Sequence, residues 1–449
     1  MLKQLLKPEI EELVNQRSWK AIRDGLDGWH PAEIAELLLD VEKKDKVLLY
    51  RALPRDVATD VFAEMELEDR ETLLIDLTDT ETKQLLADLA PDDRTDLLEE
   101  LPAKVTRTLL NMLNQEDLKE ARDLLGYPEY SVGRLMTPDF VAIKENMTVK
   151  QALDHIRKHG KDSETIYRVY VRDDKGKLID DILLRNVILA TEDTLISDLM
   201  DYNVVSISAF EDQEEAVRYM EKYNLISLPV VDSTGQILGI VTVDDILDVQ
   251  AEETTEDFQK IGGMSPVEQS YTSASVWKLF QKRFPWLLAL LLANFITAAV
   301  ITYYEEVTLA VVVLASFIPL LIGTAGNSGT QTATLIIRGL AVGEIDSKAW
   351  SSVLKKELVV GIVLGVILGT ISYLVGIIEG SDNLKVALVV SVSMLTLVIW
   401  ANIIGSILPI VIDKLKLDPA VISSPLIATL IDVSGVTIYF NIAIFILGL

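Results

Sequence analysis

The 449-residue sequence has no cysteine, only three histidines, and 41 basic residues against 68 acidic ones. Without cysteine no disulfide or thiolate metal site can form, which suits a reducing compartment. The histidines, His30, His155 and His159, show no metal-ligand spacing and read as ordinary surface or core residues. The formal charge of −27 repels nucleic acid and anionic lipid and attracts cations, divalent ones most. The first nine residues lack a long apolar core and a small-residue cleavage site, so no signal peptide is expected.

The few bases are also unevenly placed. Residues 1–283 hold 58 acids and 34 bases, whereas residues 284–449 hold 10 acids and 7 bases. An acidic soluble half precedes a nearly neutral, hydrophobic one. A chain of this length holds roughly two to four domains.

The first region repeats every twelve residues. Apolar residues open the units at Trp29, Val41, Leu53, Met65, Leu77, Leu89, Leu101 and Leu113. Each unit continues with a turn signal (Pro54, Asp79, Pro91-Asp92, Pro102) and a short run with paired apolar residues. Pro near the first helical position and acids in the first turn start helices. One such helix cannot bury its own apolar face, but stacked units can, which predicts an all-α superhelical domain over residues 1–130. An irregular helical bundle is the alternative.

The period then changes. Apolar runs at 140–143, 167–171, 204–207, 228–231 and 237–241 alternate with helical patterns at 149–158 and 213–223. The region duplicates itself: Val169-Tyr-Val-Arg-Asp-Asp-Lys-Gly176 is similar to Leu228-Pro-Val-Val-Asp-Ser-Thr-Gly235. This α+β pattern resembles a tandem pair of CBS domains, at 131–198 and 199–255. In the first copy Asp180-Asp-Ile-Leu-Leu-Arg replaces the usual Gly-rich turn. A polar connector helix at 256–283 follows, interrupted at Gly262-Gly263 and Pro266.

Residues 284–449 hold five apolar stretches near 285–303, 307–337, 357–378, 384–411 and 420–447, each long enough at about 20 residues to cross a bilayer. Lys278, Lys282 and Arg283, then Arg338, Lys348, Lys355 and Lys356, then Lys414 and Lys416 mark alternate loops as cytoplasmic. The opposite loops carry Glu305-Glu306 and an acidic stretch at 379–382. This predicts a multi-pass inner-membrane protein with a cytosolic N-terminal domain and an outside C-terminus.

Three polar interruptions sit at membrane depth: 319–334, Trp400-Ala-Asn402, and 418–432. Such runs are tolerated in lipid only when buried by neighbours or lining a wet cavity. Close packing through small residues suits Gly361, Gly365 and Gly369. It suits Asn327-Ser-Gly-Thr-Gln-Thr less well. The fifth stretch carries one acid, Asp432, and no Lys, Arg or His. A carboxylate there costs several kcal/mol unless it meets water, a cation or a partner. A passing cation is one partner; protonation, or bonds to Ser and Thr hydroxyls, is the other reading. One intramembrane Asp without intramembrane His suits neither an aspartyl nor a zinc protease, so no enzyme is expected.

From Asp201 to Asp257 there are 14 acids against two bases, and Asp92, Asp93, Asp96 and Glu99-Glu100 form a second cluster. Charge runs of this kind are ordinarily solvated faces. Thr242-Val-Asp-Asp245 resembles the Thr-x-x-Asp that contacts ribose in adenosine-binding CBS domains. That resemblance implies ATP as a modulator, held by Thr242 and Asp245.

Helical repeat, CBS pair, connector, five spans and Pro425-Leu-Ile-Ala-Thr-Leu-Ile-Asp432-Val-Ser-Gly together resemble the MgtE family of magnesium channels over essentially the whole chain. The resemblance implies a homodimer in the lipid bilayer, with a pore between subunits that admits Mg²⁺ to the cytosol. It implies a hydrated Mg²⁺ at Asp432, with Asn327, Thr330, Thr334, Ser424 and Asp418 as further pore groups. It implies regulatory Mg²⁺ at Asp92, Asp93, Asp96, Asp212, Glu214, Glu215, Asp245, Asp248, Glu253, Glu256 and Asp257, which closes the channel. Thr330 and Ser424 stand where an Asn is common in the family, and Asn224 occupies a family ligand position. A CBS-regulated transporter of Co²⁺ or Mn²⁺ with nucleotide modulation is the competing reading.

Overall fold

The computed structural model describes residues 12–14, 16–39, 41, 43–65, 67–161, 163–267, 271–272, 274–345, 347–379 and 384–449. The readings at 1–9 and 380–382 lie outside the described residues. The chain forms two compact units, Met1–Gln250 and Ala251–Leu449.

In the first unit a row of nine short helices spans residues 19–124. They are α1 (Trp19–Leu26), α2 (Pro31–Leu39), α3 (Lys43–Ala52), α4 (Arg55–Ala63), α5 (Leu67–Asp76), α6 (Asp79–Asp88), α7 (Pro91–Glu100), α8 (Ala103–Leu110) and α9 (Gln115–Leu124). Their first residues stand 12 apart throughout, so the repeat in sequence is a repeat of helices. One inward position recurs at the same interval: Leu37, Leu49, Val61, Leu73, Leu85, Leu97 and Leu109 are all buried. Each such side chain contributes about 1.5–3 kcal/mol on burial. The helices pack mainly on second neighbours (α1 on α3, α2 on α4, α3 on α5, α4 on α6, α7 on α9), which winds the row into a superhelix. Pro31 and Pro91 open their helices, and Thr78 with Glu81 closes a capping box at α6.

After a short helix α10 (Val132–Leu135) the same unit holds two copies of one motif. The first is β1 (Phe140–Lys144), α11 (Val149–His159), β2 (Thr165–Arg172), β3 (Leu178–Leu183) and α12 (Leu184–Leu189). The second is β4 (Ile207–Ser208), α13 (Gln213–Tyr223), β5 (Ser227–Val231), β6 (Ile237–Thr242) and α14 (Val243–Ile261), which from Ala251 onward belongs to the second unit. In each sheet the first strand runs parallel to the second, and the third antiparallel to it. Gly176 and Gly235 take φ +85° and +82° in matching turns. There Asp173 and Asp232 accept from the backbone amides that follow. The copies join where Thr137 and Ile240 exchange backbone hydrogen bonds of 2.9 Å.

Strand β3 is the element the sequence pattern conceals, because Asp180 and Asp181 interrupt the apolar alternation. Asp180 is 1% exposed and accepts from the amides of Asp201 and Tyr202 at 2.8 and 3.1 Å. A buried carboxylate bonded in this way is tolerated in a strand. Asn224, at the family ligand position, ends α13 with φ +51°, a left-handed conformation that Asn adopts readily.

The second unit contains α15 (Val276–Tyr303), α16 (Glu305–Ala310), α17 (Val313–Ala341), α18 (Trp350–Glu379), α19 (Leu384–Lys414) and α20 (Ser424–Leu447). Among the described residues, five of these are long and apolar enough to cross a membrane, α16 being the exception. Gly263 at φ +75° follows α14, and α15 starts at Val276 and takes in Lys278, Lys282 and Arg283. Within 256–283 the described residues thus hold the end of α14 and the start of α15, with a break at Gly262-Gly263. Gly365, Gly369 and Gly376 let α18 lie close on α19: an added Cβ would stand 2.8–3.0 Å from Leu395 or Ser391, and 2.7 Å from Ala387. These glycines serve packing.

Candidate functional site

Helix α17 has two faces at membrane depth. Ala325, Gly326, Ser328, Gly329, Thr332 and Ala333 are buried, whereas Gly323, Asn327, Gln331 and Thr334 are exposed and Thr330 is half-buried. Positions 323, 327, 331 and 334 share one stripe of the helix. Amides and hydroxyls facing hydrocarbon are costly, so this stripe requires water or another polar surface. Thr334 spends its hydroxyl on the Thr330 carbonyl at 2.9 Å.

Small residues hold α17 against its neighbours. A Cβ on Gly326 would lie 3.8 Å from Cβ of Ala428 on α20, and one on Gly405 of α19 would run into the Gly329 carbonyl. Asp432 lies one turn beyond Ala428 on α20 and is half-buried. Among the described residues its carboxylate has no hydrogen bond or ion pair. Nearby hydroxyls donate elsewhere: Ser434 to the Leu430 carbonyl at 2.7 Å, and Thr429 to the Pro425 carbonyl at 2.9 Å.

At the start of α20 the capping residue is Ser423, which accepts from the Trp286 indole at 3.0 Å; Ser424 is the first helical residue. Asp418 Oδ1 caps the turn at Ala420 (2.8 Å) and its Oδ2 meets Lys260 Nζ at 2.7 Å. Lys260 also pairs with Glu256. Two expected metal ligands, Glu256 and Asp418, thus share an ammonium.

In the first unit the acids of α7 and α14 converge. Burial pushes the Asp92 carboxyl well above the usual carboxylate range, reinforced by the charges of Asp245, Asp93 and Glu164. Its Oδ1 is buried with no hydrogen-bond partner among the described residues. Burial lifts Asp93 to about 6 against the opposing charge of Arg70. Burial lifts Asp245 to about 7 against its hydrogen bond from the Thr242 hydroxyl, 2.7 Å long. Glu164 and Asp248 are raised as well, by burial first and by Asp244 second. Asp96 pairs with Arg70 at 2.8 Å. Among the described residues no three acids or histidines form a ready cation cage; the cluster is an arrangement of mutually repelling charges.

Other expected ligands stand apart. Asp212 caps α13 through the Glu214 amide, and Glu214 and Glu215 bind Arg218 at 2.9 and 2.6 Å. Asp245, an expected nucleotide contact, faces the acid cluster. A cleft of about 210 Å³ in the CBS pair is lined instead by Arg168, Asp181, Asp201, Asn203, Tyr223 and Ser227 among others. Two residues escaped sequence reasoning. Glu164 sits in a short turn before β2, with no local signal. Glu357 lies within a membrane-crossing helix, and its charge is the signal that could have found it.

Comparison with known proteins agrees with this architecture. A family described as "Divalent cation transporter", MgtE, matches residues 318–442, the MgtE intracellular N domain matches 29–130, and CBS domains match 132–193 and 196–252. "Magnesium transporter MgtE" of Thermus thermophilus is 36% identical over 446 residues, 98% of each chain. That of Enterococcus faecalis is 38% identical over 438 residues, 97% of this chain and 95% of the relative. The solved cytosolic domain of the Mg²⁺ channel MgtE in complex with ATP is 33% identical, with TM-score 0.52, and covers 54% of this chain and all of that one. The soluble part of a magnesium transporter gives 30% identity and TM-score 0.53, over 56% of this chain and 99% of its own. These relatives are transporters, not enzymes. With its membrane half, its helical repeat and its CBS pair all matched, and relatives aligned from end to end, the chain belongs to the MgtE family of magnesium transporters.

Proposed function

We propose that the chain is a homodimeric channel that passes Mg²⁺ into the cytosol and is closed by cytosolic Mg²⁺ on its acidic soluble regions. The observation that carries the reading is the exposed polar stripe of α17 beside a helix whose single acid, Asp432, has no partner among the described residues. Two copies facing each other would enclose the stripe and bring two carboxylates to one axis. Mg²⁺ sheds water reluctantly and is commonly held through its hydration shell. Asn327, Thr330, Thr334 and Ser424 offer oxygen acceptors for that shell, and Asp432 offers charge. Asp418, engaged with Lys260, joins the pathway only when that pair opens.

The closing mechanism follows from repulsion. Asp92, Asp93 and Asp245 pay a desolvation cost that a divalent cation would offset. Turning a gate from nearly all open to nearly all closed takes about 5.5 kcal/mol of differential binding, within reach of several weak sites acting together. ATP is a second soluble ligand, since a relative's cytosolic domain is solved with it. Its candidate places here are Thr242–Asp245 and the cleft at Arg168.

Reconstitution in liposomes, with Mg²⁺ set separately on each face, tests the proposal. Mg²⁺ influx that falls as Mg²⁺ rises on the soluble-domain side is expected. A folded dimer that conducts no Mg²⁺, or conducts it regardless of the cytosolic side, sinks it.

A further inference from the structure

Glu357 is a second carboxylate within a membrane-crossing helix, seven residues into α18. Its Oε2 accepts from the Thr332 hydroxyl of α17 at 3.1 Å and from the Asn402 amide of α19 at 3.3 Å. Asn402 Oδ1 in turn accepts from the Ser328 hydroxyl of α17 at 2.6 Å. Ser328, Thr332 and Asn402 are all buried. Among the described residues no Lys or Arg pairs with Glu357. One carboxylate thus ties three helices together, and both groups that touch it are donors, as an acceptor-only carboxylate requires.

Ser328 and Thr332 are one turn apart on the inward face of α17. Asn327, Gln331 and Thr334 occupy the adjoining exposed face of the same helix. Rotation of α17 about its axis would turn the polar stripe away and would break both inward bonds together. In a nonpolar surrounding these bonds lack competing water, and an abandoned Asn402 amide would be a buried unsatisfied donor.

We propose that Glu357 is a positioning residue of the ion pathway: through Thr332, Asn402 and Ser328 it fixes the rotation of α17, and with it the acceptors presented to the hydrated ion. The inference rests on the pore reading given above. Glu357 holds the acceptors and does not itself touch the ion.

The test is Mg²⁺ and Mn²⁺ flux through the full-length channel in liposomes, for Glu357→Ala, Glu357→Gln and Asp432→Asn, with dimer content and thermal midpoint measured on each. The ratio of the two fluxes is independent of how much protein is active. Misplaced acceptors are expected to shift that ratio in Glu357→Ala by about tenfold. Glu357→Gln keeps an acceptor oxygen and is expected to stay near the native ratio. An unchanged ratio in Glu357→Ala, whether both fluxes fall equally or neither falls, overturns the inference. A Gln variant as altered as the Ala variant also overturns it, because charge and not position would then be what Glu357 supplies. Asp432→Asn separates the two readings: if it conducts normally the pore assignment fails, and if it is silent while Glu357→Ala keeps the native ratio, only the positioning role fails.

Discussion

Lys260 Nζ stands 2.7 Å from Asp418 Oδ2, across 158 residues of sequence, and pairs at the same time with Glu256 on its own helix. The pair joins the C-terminal part of α14 to the turn that leads into α20. The three side chains are 23–39% exposed, so water screens them, and the link is worth no more than about 1 kcal/mol.

Lys260→Met should loosen this link. If the link favours the closed channel, Mg²⁺ flux with chelator on the cytosolic side should rise by about two- to fivefold, the range that ~1 kcal/mol allows. Inhibition at saturating cytosolic Mg²⁺ should persist, because the acids of the first unit are untouched. Flux that is unchanged in chelator would show that the bridge does not bias the gate.

Much of the molecule was legible in the sequence, for reasons particular residues show. The twelve-residue repeat survives because each unit needs one inward residue, from Leu37 to Leu109, and one helix start. Gly361, Gly365 and Gly369 of α18 were readable because close helix approach leaves few alternatives to Gly. Strand β3 was hidden because Asp180 is satisfied by backbone amides 21 and 22 residues away, which no local pattern contains. The acid cluster was readable as charge, but the part played by Glu164 depends on a tertiary approach. Lys260 was hidden for the same reason: its position in a helix says nothing of Asp418.

The raised acids make a signed prediction about pH. The Asp93 and Asp245 carboxyls are at about 6 and about 7 in the folded unit, against about 3.9 for an unfolded Asp. Between these values the folded state binds more protons, so stability rises as pH falls. Asp92, Glu164 and Asp248, which face them, are raised as well and leave the sign unchanged. In chelator the soluble unit should gain about 2–3 kcal/mol between pH 8 and pH 5.5, roughly 5–10 °C in Tm. Mg²⁺ does the proton's work at high pH, so the Mg²⁺ concentration that protects against protease should rise as pH falls from 8 to 6. A Tm in chelator that falls on acidification over this range would contradict the cluster.

Helix packing in the second unit is testable at one atom. A Cβ on Gly376 would lie 2.7 Å from Ala387 Cα, a backbone atom that cannot step aside. Gly376→Leu should cost about 1–3 kcal/mol through overpacking and lower the thermal midpoint of the membrane unit. Gly25, the next-to-last residue of α1, which nothing approaches within 4 Å, gives the opposite sign: Gly25→Ala should add up to about 0.5 kcal/mol to the soluble unit. Equal effects of both changes would mean that the α18–α19 contact is looser than the structure has it.

Asp432 tests the proposed pathway. Its helix contains no base, and its carboxylate has no partner among the described residues. If it serves a hydrated cation, charge is what matters, and two copies in a dimer balance one divalent ion. Asp432→Ala should abolish Mg²⁺ flux and leave dimerisation and Mg²⁺-induced protease resistance intact, because neither depends on the pore. Asp432→Asn keeps shape and hydrogen bonding while removing charge. On the cation account it should be nearly as inactive as Ala, a loss of about a hundredfold or more for the ~3 kcal/mol that separates a charged from a neutral partner. On the account in which Asp432 is an ordinary hydrogen-bonding group of the bundle, Asn should retain most of the flux. Near-normal Mg²⁺ transport by a folded Asp432→Asn dimer would therefore place the ion's path elsewhere.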